Sequence, residues 1–255
     1  EPHWPEIVRL SLALPRLSAR LDGLTVAQIS DLHVGHSRNH TKTQQSVQTI
    51  NALHPDLIVV TGDMIQDEPE EALLCAAELT ALDAPLGVYA IMGNHERRLL
   101  PRESELPFRR AGLTVLTNAA HEIAVDGASL WMVGLDDMIM RRGDLRLALH
   151  GVPDDACKIL LAHEPDIADR AARFPIDLQL SGHTHGGQVR LPGVGALLLP
   201  ILGRKYPMGL YRVQDTWVYT NRGLGVTRPA MRFNCRPEIT MFTLHAADGV
   251  PSPAA

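Results

Sequence analysis

The chain has 255 residues, 45% of them hydrophobic and 21% charged, and carries a net charge of −5 with histidine neutral. This composition describes a soluble, globular chain with a real core, and the acidic balance excludes a basic footprint for sequence-independent nucleic-acid binding. Cys75, Cys157 and Cys235 are odd in number and far apart, which excludes a disulfide framework or a Cys-x-x-Cys metal site and leaves them to packing.

No apolar run reaches the roughly 18 residues of a membrane span. The chain begins at Glu1 without a Met, so a signal, anchor or tag is expected to have preceded it. Val8, Leu10, Leu12 and Leu14 alternate with Arg9, Ser11 and Ala13, the pattern of a half-buried edge strand stopped by Pro15. Residues 24–29 form the next strand. Residues 41–53 are expected as a helix with Val47, Ile50 and Leu53 on its inner face. Leu57 to Val60 is an apolar β-branched run, the mark of a strand covered on both faces. A helix over 70–82 follows, with Leu73, Leu74, Ala77 and Leu82 expected inward. Residues 87–92 are a strand and 103–111 a helix.

Short strands are expected at 114–116 and 122–125, with Asp126-Gly127 as a hairpin turn into 129–135. A helix over 144–149, a strand at 158–161, a helix over 166–173 and a strand at 177–180 complete the alternating part. From Leu191 to Met208, Gly, Pro and Leu dominate and no regular element is assigned. Residues 210–213, 217–220 and 239–244 read as antiparallel strands. The pattern predicts one domain over 1–245, a two-sheet α/β core flanked by helices, and a disordered Pro/Ala-rich tail over 246–255.

Five strands end in short polar stretches. They carry Asp31 and His33; Asp63; Asn94 with His95; His163; and His183 with His185. The last sits in Ser181-Gly182-His183-Thr184-His185-Gly186-Gly187-Gln188, where glycines let the backbone turn sharply and approach another group closely. Alone, each stretch could be a helix cap or a polar turn. Five at the same end of successive strands are hard to produce as caps, and sites in open α/β sheets form beyond the carboxyl ends of strands. Three Asp/Asn oxygens and four imidazoles exceed what one tetrahedral ion needs. Two ions sharing a carboxylate fit the count, and such sites suit phosphoryl chemistry. The mixed N and O donors point to Mn, Fe or Zn.

These blocks resemble the calcineurin-like metallophosphoesterase superfamily, whose pattern runs Asp-x-His, Gly-Asp, Gly-Asn-His-Asp/Glu, His, Gly-His-x-His. The resemblance implies a four-layer α/β/β/α sandwich. It also implies one divalent ion on Asp31, His33, Asp63 and His185, and a second on Asp63, Asn94, His163 and His183, with Asp63 bridging. His95 then sits beside the site as the general acid or a phosphate-contacting residue, and hydroxide held between two ions, most simply Mn, attacks phosphorus. Gln66 stands where purple acid phosphatases carry a Tyr ligand. Met64-Ile65-Gln66-Asp67 replaces the Asp-Arg-Gly segment of the Ser/Thr protein phosphatases. Arg222-Gly223-Leu224-Gly225 and Arg236-Pro237-Glu238-Ile239 are similar to the YkuE/YaeI-like branch. That branch implies phosphodiester or pyrophosphate substrates, some lipid-linked, and a location at the cell envelope, with a cytoplasmic enzyme as the alternative.

Asn94 doubles as a candidate substrate contact with Arg222, and Arg97 and Arg98 are further candidate phosphate contacts. A nuclease of the same superfamily and a metal-binding scaffold without catalysis are the other readings; the net charge argues against the first. The segment 191–203 begins at the rim of the expected site, and its leucines have two fates. They pack inward on the second sheet, or Leu197 to Leu202 form an exposed lip for a membrane or an acyl chain, with Arg204 and Lys205 beside it for anionic head groups.

Overall fold

The computed structural model describes residues 4–35, 39–99 and 105–247. The strands in chain order are β1 (Glu6–Leu14), β2 (Leu24–Ile29), β3 (Leu57–Thr61), β4 (Val88–Ile91), β5 (Thr114–Val115), β6 (Ala119–Val125), β7 (Ala128–Gly134), β8 (Lys158–Leu161), β9 (Leu178–Ser181), β10 (Arg190–Leu191), β11 (Gly195–Ala196), β12 (Gly209–Val213), β13 (Thr216–Thr220) and β14 (Glu238–Ala246). The helices are α1 (Asn39–Asn51), α2 (Glu71–Leu79), α3 (Asn94–Leu99), α4 (Leu106–Arg110), α5 (Leu145–Ala148) and α6 (Ala168–Ala171).

Two mixed six-stranded sheets carry the fold, in the orders β1-β14-β2-β3-β4-β5 and β12-β13-β9-β8-β7-β6. β2, β3, β4 and β5 are mutually parallel in the first sheet, as are β7, β8, β9 and β13 in the second. β1 lies at an edge, as its alternating pattern predicts. The Asp126-Gly127 turn joins antiparallel β6 and β7 with both residues at positive φ, the requirement of the two-residue turn that matches strand twist.

The apolar residues sort into three layers. Val26, Val59, Ile91 and Phe242 of the first sheet meet Met132, Ile159, Leu161 and Leu180 of the second in the space between the sheets. Ile29, Ile58 and Val60 face the other way, onto Val47 and Ile50 of α1 and Cys75 and Leu79 of α2. Val133 and Leu160 pack on Leu145 of α5 and Ala171 of α6. The result is the expected α/β/β/α sandwich. β3 reads as a continuous apolar run because both of its faces are covered.

Three expectations need correction. On α2, Ala72, Cys75, Ala76 and Leu79 are buried, while Leu73 is 67% exposed and Leu74 and Ala77 are exposed too. Two apolar stripes compete on this helix, and the small side chains let it approach the sheet closely. β14 does not join the β12–β13 hairpin; it enters the first sheet between β1 and β2, parallel to one and antiparallel to the other. The Gly/Pro-rich stretch contains the small β10–β11 ribbon. The expected helix over 103–111 is α4, its first two residues lying outside the described ones, and most of the tail lies outside them as well.

Candidate metal centre

β2, β3 and β4 run in the same direction in one sheet, and β8 and β9 do so in the other, so their polar ends share one side of the molecule. Contacts across the sheet boundary close the gap. His163 Nδ1 lies 2.7 Å from the carbonyl oxygen of Thr61, the His183 amide donates to both carboxylate oxygens of Asp31 at 3.0 Å, and Gln28 Nε2 donates to the Ser181 carbonyl. Gly182 makes this approach possible. A Cβ there would stand 1.9 Å from Ser30 Oγ and 2.4 Å from Asp31 Oδ2.

The turns that present the side chains are strained. Asp31, His33, Asp63, His183 and His185 all adopt φ between +46° and +71°, a region that side chains other than Gly enter at a cost and that clusters at functional sites. Glu96 pays part of that cost. Its buried carboxylate accepts from the amides of Asp63, Ile65 and Gly93 at 2.7–3.0 Å and so pins the turns after β3 and β4 to each other.

The donor atoms converge into three groups: Asp31, His33 and His185; His33, Asp63 and His95; Asp63, His163 and His183. Within each group, every ligand atom lies within 4.8 Å of the others. His33 Nε2 and His185 Nε2 are 3.0 Å apart, His185 Nε2 is 3.4 Å from Asp31 Oδ1, and His163 Nε2 is 3.1 Å from Asp63 Oδ2. Two ring nitrogens facing each other amid carboxylates leave lone pairs that a cation satisfies. Asn94 Oδ1 is buried without a hydrogen-bond partner. His183 Nε2 donates to the Ile201 carbonyl at 2.9 Å, so its Nδ1 carries the lone pair. For His163 the Thr61 carbonyl takes the Nδ1 proton, which leaves Nε2 as donor. This donor set fits divalent cations of the N/O-preferring kind.

Burial and charge tune these groups in opposite directions. Burial pushes His33 down to about 3 and His183 down to about 4, and it holds His185 well below the ordinary range. Burial also pushes Asp31 up to about 7. Burial opposes the charge on Asp63 as well, but His163 beside it wins and holds the carboxylate well below its usual range. Burial likewise opposes a proton on His163, yet Asp63 draws it well above normal. Without a cation, Asp63 and His163 therefore form a carboxylate–imidazolium pair.

His95 stands beside these groups. Its amide donates to Asp63 Oδ1 at 3.0 Å, its Nδ1 lies 2.6 Å from the Gln66 carbonyl, and its ring meets His33 edge-on.

The arginines divide unexpectedly. Arg97 is buried, donating to Asp136 at 2.5 Å and to Glu105 at 2.9 Å, so it cannot serve as a phosphate contact. The Arg222 guanidinium is bound by Glu238 and, at 2.9 Å, by Glu6. Its charge is neutralised there, and Arg222 does not line the cavity that opens over the donors. Arg98 is exposed, 3.5 Å from His95 Nδ1. Arg232 is buried, donating to the carbonyls of Arg222, Gly223 and Gly225 with Nη2 3.4 Å from His185 Nδ1.

A cavity of about 590 Å³ opens over the donors. Asp63, Asn94, His95, His183 and His185 form its floor. One wall carries Val189 and Leu197 to Pro200, the other Thr227 to Pro229 and Met231. The Gln188 side chain ties the walls together by accepting from the Thr227 amide at 2.8 Å. The segment divides: Leu198 is 80% exposed and Ile201 68%, with Val194, Leu197, Met231 and Phe233 also exposed, while Leu199 is half-buried and Leu202 packs against the cluster of Val133, Leu145 and Leu160.

Residues 24–187 match the model of the calcineurin-like phosphoesterase family. The chain belongs to that family. It is 36% identical to the uncharacterized metallophosphoesterase YkuE of Bacillus subtilis over 97% of this chain and 88% of YkuE. It is 31% identical to the phosphodiesterase YaeI of Escherichia coli, covering 96% and 90% of the two chains. It is 28% identical to the UDP-2,3-diacylglucosamine pyrophosphatase LpxG of Chlamydia muridarum, covering 95% and 90%. Among solved structures, TT1561 of Thermus thermophilus shares the fold, with a TM-score of 0.53 at 13% identity over 79% of this chain and 90% of that one. Calcineurin-like phosphoesterases are divalent-metal-dependent hydrolases, and this chain brings together a donor set of the kind they use. Resemblance motifs gave no role to Glu96, Arg232, Arg228 or Gln188. Of these, Glu96 and Gln188 had a local signal, as the last residues of the Gly-Asn-His-Glu block and of the Ser181-to-Gln188 stretch.

Proposed function

We propose that the chain hydrolyses a phosphodiester or pyrophosphate bond in a lipid-linked substrate, with two divalent ions, Mn in the first place and Fe or Zn as substitutes. Asp31, His33, Asp63 and His185 hold one ion. Asp63, Asn94, His163 and His183 hold the other. When bound, the pair supplies Lewis acidity at the phosphoryl oxygens and lowers the pKa of a water. His163 contributes Nε2 and His183 contributes Nδ1, because the opposite ring nitrogens face backbone carbonyls. His95 donates through Nδ1 to the Gln66 carbonyl, so it is the doubly protonated ring that carries a proton at Nε2 for the leaving oxygen. The observation that supports this reading is the chain of three overlapping donor groups: His33 links Asp31 and His185 to Asp63 and His95, and Asp63 links these to His163 and His183.

The lipid part rests on the rim. Leu197, Leu198 and Met231 line the cavity and are exposed, and Val194, Ile201 and Phe233 are exposed close to them in sequence, followed by Arg204 and by Lys205, which pairs with Asp169 at 2.6 Å. Such a patch suits an acyl chain or an anionic membrane surface, and it agrees with the diacylated substrate in the name of LpxG. No helix among the described residues is long and apolar enough to cross a membrane; the exposed rim supports a reading in which the enzyme works at the cell envelope through a surface contact. A substrate panel of monoesters, diesters, nucleotide diphosphates and phospholipid head groups, run with Mn and paired with elemental analysis, tests the reading. Two ions per chain with diester or pyrophosphate turnover is the expected result. Bound metal without turnover on any member would indicate a scaffold, and preference for single-stranded DNA over a small diester would indicate a nuclease.

A further inference from the structure

The arginines around the centre are not equivalent. Arg97 and Arg222 are each neutralised by two carboxylates, and Arg232 is buried among backbone carbonyls. Arg228 differs from all three. Among the described residues it is the one Lys or Arg that lines the cavity, and its side chain is 80% exposed. Its partner is Asp67 at 3.4 Å, on the segment that follows the Asp63 turn. The amides of Gln66 and Asp67 both donate to Glu71, so Asp67 is a fixed post. An exposed ion pair of this length is weak and screened by salt. Arg228 can therefore exchange Asp67 for an anionic group of a ligand with little loss.

Apart from Thr184, Gln188 and Thr227, the rest of the cavity lining above the floor is apolar, with Val189, Leu197, Leu198, Pro200, Pro229 and Met231. A charged group left against that surface would be desolvated without a partner, which is costly. A guanidinium instead meets a phosphate with two parallel hydrogen bonds. Resting on the phosphoester reading above, we propose that Arg228 determines specificity by binding the second phosphate of a pyrophosphate-linked substrate. The first phosphate lies over the floor residues. A diester with one phosphate places its only anionic charge on the floor and has nothing to offer Arg228.

Binding tests this without relying on turnover. Calorimetry on Mn-loaded protein would compare a diesterified methylenediphosphonate, which carries two phosphorus groups, with a phosphonate monoester, which carries one. Arg228→Gln should weaken the first at least about tenfold more than the second, as loss of a charge-assisted bond does. Arg228→Lys should recover part of that difference. Asp67→Asn should leave the two-phosphorus ligand bound as tightly or several-fold more tightly, because the competing carboxylate charge is gone. Equal weakening by Arg228→Gln and Asp67→Asn would make the pair a structural latch and overturn the proposal. So would an equal effect of Arg228→Gln on both ligands, or wild-type protein that does not prefer the two-phosphorus ligand. Turnover of bis(p-nitrophenyl) phosphate, measured separately, addresses the phosphoester reading; its absence would remove that reading while the binding comparison still decides Arg228.

Discussion

On the floor of the cavity, side chains come from the carboxyl ends of β2, β3, β4, β8 and β9, are largely buried, and are held by short hydrogen bonds across the sheet boundary. On the rim, Leu197, Leu198, Ile201 and Met231 stand on loops outside regular strands and are exposed. The floor spends folding energy on strained backbone and buried charge, which is tolerable because two sheets and Glu96 hold it. The rim contributes little to the core and is free to match a ligand. Reaction and recognition thus sit on parts of the molecule with different stability, and changes to each should separate cleanly.

The sharpest break of that contrast is Asp63→Asn. It removes the carboxylate shared by two donor groups, so turnover should fall to background with a large loss of bound metal. Near-normal turnover with full metal content would refute the shared-carboxylate arrangement. His95→Asn is the next largest. It should keep both ions and lower kcat by roughly 10²–10⁴-fold, the range of a positioned acid–base group. Loss of an ion in that variant would make His95 a ligand, which its place in a group with His33 and Asp63 also permits geometrically.

A third prediction concerns acid. His33, held down to about 3, and His183, held down to about 4, are already neutral across the mildly acidic range. The protons that compete with a cation sit on Asp31, pushed up to about 7, and on His163. Below about pH 7 a cation must displace both protons, so affinity should rise steeply with pH; above about 7 only the His163 proton still competes, and the rise should continue less steeply. Metal titrations between about pH 5 and 8 would read this directly. A midpoint near 4 would assign the limit to the imidazoles instead.

Glu96→Gln should cost about 1–3 kcal/mol of stability, because three amides lose a charged acceptor. Denaturant unfolding measures it, and an unchanged midpoint would mean that the turns hold themselves. The smallest expected effect on folding belongs to the rim. Leu198→Ser with Ile201→Ser should move stability by only about 0.5 kcal/mol, while binding to anionic liposomes weakens. A large drop in melting temperature, or unchanged liposome binding, would erase the distinction between floor and rim.

Local spacing alone made much of the site legible. Asp31, His33, Asp63, Asn94, His95, His163, His183 and His185 each follow an apolar run that is recognisable by itself, and parallel strands bring such ends to one side without further information. The alternation of β1 and the covered run of β3 were readable for the same reason: burial imposes a period on neighbouring residues. The arginines were not readable, because charge says nothing of its partner. Arg222 meets Glu238 and Glu6, the latter 216 residues away, and Arg228 meets Asp67 across 161. Nor could sequence choose between the two stripes of α2, since both have helical spacing and only the fit to the sheet separates them. The fate of Leu197 to Leu202 was open in the same way. Prolines and glycines excluded a regular helix there, but whether leucines turn in or out depends on space beneath them. The tertiary structure divides them: Leu197, Leu198 and Ile201 stand exposed, while Leu202 packs against Val133 and Leu160 of the second sheet.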